Sequence, residues 1–214
     1  MKYTKLNSKK ALIWRITHRQ NIPWILINGL HAGNETARSQ NWITIGNEEL
    51  INRRGNRTVP LVPQGVLNDY IPFYFTPFSP MMYNIYTGRG GVKYVSNSDI
   101  VILVSSLYHV AEIGLPFVFT DRHAYPVTAN YYNNLADLTT IDWDLLQQRN
   151  FQRNVNDPEK VERYQAEALI YRHMPINALL GAVCYTEVVQ QELQEQANRL
   201  NVKLDIRCRP SWYF

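Results

Sequence analysis

Residues 165–172, QAEALIYR, form a short apolar run that carries one acidic side chain near its start. In a β-strand, side chains alternate between faces, so Glu167 shares a face with Leu169 and Tyr171. A carboxylate on such a half-buried face loses several kcal/mol of hydration unless hydrogen bonds offset the loss. We therefore predict a strand here and take Glu167 as a candidate functional residue. The alternative is a glutamate without a functional role, on an edge strand and exposed to solvent.

Short strands and helices surround this segment on both sides. Hydrophobic patterns predict strands at 11–17, 72–75, 100–104, 117–120, 182–186 and 202–209. Capping and periodicity predict helices at about 19–27, 48–54, 80–86, 106–113 and 186–200, with two short helices within 131–148. The order lacks a regular βαβ repeat, which favours an α+β fold with a mixed or antiparallel sheet.

The length and composition indicate one domain that spans residues 1–214. The chain is 45% apolar and 19% charged, and no Pro/Gly/Ser-rich stretch marks a linker. No apolar run approaches the roughly 18 residues of a membrane span, and the start, MKYTKLNSKK, lacks the apolar centre of a signal peptide. We therefore expect a soluble, cytoplasmic protein.

Several enzyme classes lack their defining residues in this chain. The sequence contains no GxxxxGK[ST] phosphate loop, no GxSxG nucleophile elbow and no HExxH zinc helix. Cys184 and Cys208 are the two cysteines, too few for a Cys-cluster zinc site, and we expect no metal. These patterns disfavour P-loop ATPases, α/β-hydrolases and zinc metalloproteases.

The basic residues are mostly arginine. The net charge is +4, and the chain has 15 Arg and seven Lys. Arginine binds phosphate through two parallel hydrogen bonds and stacks on bases, so this bias suits a nucleotide or a single-stranded nucleic acid. Scattered, solvated arginines would give the same count.

Three further segments hold candidate residues. Arg53 and Arg54 end a predicted helix, where they could clamp a pyrophosphate or a developing negative charge, or simply oppose the helix dipole. The aromatic run at 69–83, DYIPFYFTPFSPMMY, supplies core side chains and could also stack on a nicotinamide or a base. His123 follows a strand and could project into a cleft, although a lone histidine there is more often a loop hydrogen-bonder.

Six segments, in this order, resemble the DarT toxins, which are DNA ADP-ribosyltransferases of toxin–antitoxin systems. They are ITH (16–18), TIGNEELINRR (44–54), the aromatic run at 69–83, PFVFTDRHA (116–124), QAEALIYR (165–172) and WYF (212–214). The resemblance implies an ADP-ribosyltransferase-like split mixed β-sheet core with surrounding helices and an NAD+ cleft. It also implies transfer of ADP-ribose from NAD+ to a base in single-stranded DNA, most often thymidine, with guanosine as the alternative.

The resemblance also implies residue roles. The catalytic residues would be Glu167, Arg53 (with Arg54 as the register alternative) and His123. The residues expected around NAD+ are Arg15, where the family usually has a histidine, and Thr17, His18, Arg54, Tyr74, Phe75 and Met82. The polar segment 150–162 would recognise DNA, helped by Arg149, Arg153 and Arg163, and the excursion at 31–60 would cover NAD+.

A macrodomain-type antitoxin is the partner that the resemblance implies. Two other classes remain open from the residues. One is an ADP-ribosyltransferase that modifies RNA or protein. The other is a non-enzymatic module that binds single-stranded nucleic acid and does not consume NAD+.

Overall fold

Eight strands form one mixed sheet in the computed structural model, which describes residues 3–37 and 39–214. The strands of the chain are β1 (Leu12–His18), β2 (Leu30–His31), β3 (Tyr70–Tyr74), β4 (Ile100–Ser106), β5 (Phe117–Thr120), β6 (Tyr131–Tyr132), β7 (Glu167–Tyr171), β8 (His173–Met174), β9 (Gly181–Cys184) and β10 (Asp205–Cys208). The sheet order is β10-β9-β4-β1-β3-β7-β5-β6, and β2 and β8 form a separate ribbon. β10 runs parallel to β9, whereas the other neighbouring pairs are antiparallel.

Seven α-helices accompany the sheet within the described part of the chain. They are α1 (Ile22–Asn28), α2 (Glu48–Arg54), α3 (Pro80–Thr87), α4 (Leu107–Glu112), α5 (Trp143–Gln148), α6 (Lys160–Arg163) and α7 (Glu187–Arg199). Five of them begin at a side-chain cap that accepts a backbone N–H of the first turn: Asn47, Ser79, Ser106, Asp142 and Thr186. α1 ends at Gly29, whose φ of 73° is easily adopted by glycine.

The α+β class and the mixed sheet are confirmed, and the differences from the predicted elements are local. The two short helices predicted within 131–148 are present, the first as a 3-10 helix at Leu135–Thr140 and the second as α5, whereas the strand β6 at Tyr131–Tyr132 was not predicted. The last strand is confined to Asp205–Cys208. α6, β2 and β8 were not predicted, because elements of two to four residues are too short to show a hydrophobic period.

The sheet splits between β1 and β3. β1 pairs with β4 along its whole length, from Leu12↔Ser106 to His18↔Ile100. Among the described residues, it meets β3 at one pair, Trp14↔Tyr74. Further along the split, Arg15 Nη1 donates a hydrogen bond of 2.8 Å to the carbonyl of Pro72, a residue that has no N–H to give to a ladder. The divergence of these two central strands opens a cleft.

The core packs on the sheet and fixes the chain terminus. Fully buried aromatic side chains, among them Trp14, Phe73 and Phe119, belong to the main apolar cluster. The Tyr213 hydroxyl lies 2.8 Å from the carbonyl of Val183, so the last residues pack against β9. Within the described ranges, no helix has the length and apolar character needed to cross a lipid bilayer.

Candidate active site

A cavity of about 270 Å³ lies at the split of the sheet. Its walls come from both sides of the split and from α2, and include Arg15, Ile16, Leu50, Ile51, Arg54, Ile71, Tyr74, Met81, His123, Gln165 and Glu167. A second cavity of about 720 Å³ adjoins it and shares four wall residues: Thr44, Ile45, Asn47 and Gly90. Together they form an extended cleft.

Glu167 lies at the inner end of this cleft, at the start of β7. It is 1% exposed and stands opposite Tyr74 of β3 in the sheet register. Its Oε1 accepts a 3.0 Å hydrogen bond from the backbone N–H of Ala124, and Arg54 Nη1 lies 3.0 Å from Oε2. Since β7 lies between β3 and β5, the edge-strand alternative is wrong. The carboxylate is desolvated and held by two donors.

Arg54, and not Arg53, is the arginine that meets Glu167. The Arg53 side chain is 59% exposed and pairs with Glu49 one turn earlier on α2. The Arg54 side chain is 9% exposed, and its Nη2 is buried without a hydrogen-bond partner among the described residues. The structure thus corrects the choice of Arg53, because successive residues of a helix point about 100° apart.

His123 lies beside the same carboxylate. Its Nε2 is 3.6 Å from Glu167 Oε1, which is too long for a direct hydrogen bond, and its backbone N–H donates to the carbonyl of Glu162 at 2.8 Å. Burial lowers the pKa of His123, the Glu167 charge raises it in part, and Arg54 lowers it further. The resulting neutral imidazole is able to accept a proton at pH 7.

Arg15 and Tyr74 line the cleft as the sequence predicted. Arg15 spans the split toward Pro72, and Tyr74 extends toward Met81, with its hydroxyl 4.0 Å from the sulfur. Burial, together with the nearby charge of Glu167, raises the pKa of Tyr74, so its hydroxyl stays protonated at neutral pH.

Four other residues expected around NAD+ have different positions. Thr17 is buried and accepts a hydrogen bond from Asn21, and Phe75 and Met82 are fully buried in the core. These three side chains are buried and line neither described cavity, which corrects the expectation that they line the cleft. His18 lines the second cavity, and burial lowers its pKa.

Asparagine and glutamine side chains on the cleft wall were missed. Asn47 caps α2 and donates a 3.1 Å hydrogen bond from Nδ2 to the carbonyl of Gly90, so it ties the segment before α2 to the glycine-rich turn. Asn68 donates to the carbonyl of Ile51 at 2.9 Å, and Gln165 lies two residues before Glu167. In the sequence, Asn47 followed by two glutamates is a helix-capping pattern, and this pattern indicates where Asn47 lies relative to α2.

Of the three arginines predicted for DNA, Arg153 lies within segment 150–162, whereas Arg149 and Arg163 flank it. Arg149 has its guanidinium 3.4 Å from the ring centre of Phe78. Arg163 donates two hydrogen bonds to Asp157, at 2.8 and 3.0 Å, and is thereby neutralised. Arg153 is exposed and makes no ion pair with any described residue. As for metals, the described residues contain no group of three or more His, Cys, Asp or Glu that could hold an ion.

Comparisons with known proteins show the family of the chain. A family model described as "ssDNA thymidine ADP-ribosyltransferase, DarT" matches residues 14–214. The chain belongs to the DarT family. It is 55% identical over 209 residues to a DNA ADP-ribosyl transferase of Escherichia coli O127:H6 (strain E2348/69), covering 98% of this chain and 96% of the relative.

Solved DarT structures share the fold along the full chain. Thermus sp. 2.9 DarT in complex with ADP-ribosylated ssDNA superposes with a TM-score of 0.89 at 33% identity, covering 100% of both chains. The same Thermus protein in complex with NAD+ gives a TM-score of 0.84 at 33% identity, with 96% of this chain and 98% of that chain covered. The family resemblance, the ADP-ribosyltransferase fold, the enzyme class and NAD+ as substrate are confirmed.

Proposed function

We propose that this chain transfers ADP-ribose from NAD+ to thymidine in single-stranded DNA within the cleft at the sheet split, through Glu167, Arg54 and His123. One observation carries the assignment. A carboxylate that is 1% exposed lies between a buried guanidinium and a neutral imidazole, at the inner end of an open cavity. Buried ionisable side chains that converge in a cleft are typical of a reaction centre.

Glu167 acts on the donor. When nicotinamide leaves, the bond between the ribose C1 atom and the ring nitrogen breaks, and its electron pair stays with nicotinamide. The ribose becomes an oxocarbenium-like cation, which a fixed carboxylate stabilises. Glu167 also accepts a hydrogen bond from the ribose 2′-hydroxyl, and this contact holds the sugar in place.

Arg54 and His123 act on the acceptor. Thymine N3 forms the new bond to the ribose C1 atom and loses its proton, which neutral His123 accepts. Arg54 Nη2, which has no hydrogen-bond partner among the described residues, stabilises the negative charge that develops on the thymine as this proton leaves. The products are nicotinamide, ADP-ribosylated DNA and one proton.

The remaining cleft residues bind the two substrates. Arg15 and Tyr74 contact the NAD+ portion at the split, with His18 beside the second cavity. Segment 150–162 and Arg153 contact the DNA. A duplex hides thymine N3 in its base pair, so the preference for single strands follows from the atom that reacts.

We also infer the biological setting from the family. The chain acts as one domain, as the toxin of a toxin–antitoxin pair in the cytoplasm, where NAD+ and DNA are both present. A macrodomain-type hydrolase that removes ADP-ribose from the DNA would be its antitoxin.

The test is to incubate the purified protein with NAD+ and oligonucleotides and to measure nicotinamide release and oligonucleotide mass. Thymidine-containing single strands should gain one ADP-ribose each, whereas Glu167→Gln should lose more than about 99% of the rate. Glu195→Gln, the same change on the exposed face of α7, is the matched control. Modification of guanosine, RNA or protein instead of thymidine would overturn the acceptor, and full activity of Glu167→Gln would overturn the role of Glu167.

A further inference from the structure

In the turn at 121–130, between β5 and β6, the backbone of Ala124 contacts the reaction centre. Ala124 is fully buried, and its N–H donates to Glu167 Oε1 at 3.0 Å. Its carbonyl accepts a hydrogen bond of 2.6 Å from the Tyr131 hydroxyl. The peptide groups on the two sides of Ala124 are therefore fixed, one by the carboxylate and one by the phenol.

Other contacts hold the same turn. Asn130 donates to Asp121 from its backbone N–H at 3.2 Å and from Nδ2 at 2.9 Å. Arg57 Nη2 donates to the carbonyl of Pro126 at 3.2 Å. For Ala124, the residue that contacts Glu167, the Tyr131 hydroxyl is the side-chain donor among the described hydrogen bonds.

Tyr131 is suited to a fixed donor role. It belongs to β6 and pairs with Thr120 of β5, so the sheet sets its backbone. Its ring packs in a small apolar cluster that includes Ala124 and Tyr125. Burial raises the pKa of Tyr131, so the phenol keeps the proton that it donates. Tyr131 does not line the described cavities, and it would act through Ala124.

We propose that Tyr131 is a positioning residue, whose hydroxyl orients the Ala124 amide and thereby fixes Glu167 Oε1 for the reaction at the ribose. This inference rests on the proposed role of Glu167. Without the hydroxyl, the peptide group after Ala124 can rotate, and the N–H before it no longer has a fixed direction. The carboxylate then keeps Arg54 as its remaining close donor and is free to turn away from the cleft.

Tyr131→Phe tests this role, because it removes the hydroxyl that donates to Ala124 and keeps the ring in its cluster. The hydrogen bond between that hydroxyl and Arg57 is lost as well. Tyr125→Phe is the matched control: Tyr125 lies in the same turn and the same cluster, and its hydroxyl donates no described hydrogen bond. For each variant, the measurements are kcat and KM for NAD+ with a thymidine oligonucleotide. The Kd and binding stoichiometry of carba-NAD+, a non-hydrolysable analogue, report on the integrity of the cleft.

We expect Tyr131→Phe to lower kcat about tenfold, the upper range for one net hydrogen bond, while KM and the Kd of carba-NAD+ stay within about twofold. Tyr125→Phe should match the unmodified protein. A kcat equal to that of Tyr125→Phe would overturn the inference, as would a loss of kcat in proportion to lost carba-NAD+ stoichiometry. The failure of the proposed function is separate, because it appears as full activity of Glu167→Gln whatever Tyr131→Phe does.

Discussion

Replacement of Arg54 by alanine tests whether the buried ion pair is the centre of the site. The side chains of Arg54 and Glu167 are 9% and 2% exposed, so the variant leaves a carboxylate in the interior without its cation. Removal of one partner from a buried pair costs about 3–5 kcal/mol. The Ala124 N–H remains and the cleft admits water, so we expect about 3 kcal/mol, or a fall in Tm of about 6–12 °C for a chain of this size.

Arg53→Ala is the matched control, one residue earlier on the same helix. Its ion pair with Glu49 is exposed and spaced i, i+4, and such pairs contribute about 0.3–0.5 kcal/mol. The Tm of this variant should therefore change by about 1–2 °C. With a thymidine oligonucleotide, Arg54→Ala should lose about a hundredfold in kcat and Arg53→Ala about twofold or less.

Thermal unfolding followed by circular dichroism, together with initial rates of nicotinamide release, measures both effects. The double variant Arg54→Ala/Glu167→Gln adds a second criterion. Because the glutamine carries no charge, the double variant should recover most of the stability that Arg54→Ala alone loses. Equal losses of Tm for Arg53→Ala and Arg54→Ala, or a double variant in which the two losses simply add, would refute the reasoning.

Two further predictions concern protonation and DNA. Burial lowers the pKa of His123 in the folded protein. As pH falls below the usual histidine pKa of about 6.5, the unfolded chain therefore binds more protons than the folded one. This difference lowers the free energy of unfolding by up to about 1.4 kcal/mol per pH unit. His123→Gln should consequently lose less Tm than the unmodified protein between pH 7.5 and 5.5, and an identical pH dependence would contradict this. Arg153→Ala should weaken binding of single-stranded DNA of every sequence and reduce the slope of log affinity against log salt by about 0.7, as measured by fluorescence anisotropy. Arg163→Ala, in which a carboxylate-paired guanidinium is removed, should change that slope less, and a larger effect than that of Arg153→Ala would contradict the assignment.

The choice between Arg53 and Arg54 could have been made from the sequence. Leu50 and Ile51 are the apolar residues of α2, and both line the cleft. Arg54 follows them at spacings of four and three, so it lies on their face, whereas Arg53 follows Glu49 at a spacing of four. The helical period therefore indicates that Arg54 faces the cleft, whereas the family motif alone does not distinguish Arg53 from Arg54.

The sequence of the aromatic run at 69–83 does not indicate which of its side chains face the cleft. Tyr74 and Phe75 are neighbours of similar size, and Met81 and Met82 are identical residues, so no polarity pattern shows which of each pair faces the cleft. In the structure, Tyr74 and Met81 line it, whereas Phe75 and Met82 are fully buried. Their placement depends on where β3 ends and α3 begins relative to the split, which is a property of tertiary packing.

In the proposed mechanism, the split of the sheet provides the cleft, and the buried pair of Glu167 and Arg54 provides the charges that stabilise the transition state. The transition state separates charge, with a cation at the ribose and a developing anion at the thymine. Glu167 and Arg54 present the opposite charges in fixed positions: Nη1 of Arg54 holds the carboxylate, while Nη2 has no described partner. A buried ion pair contributes little net stability to the fold. Its value lies in a field that is already oriented for the charge-separated state, so the substrate atoms gain stabilisation without any reorganisation of the protein.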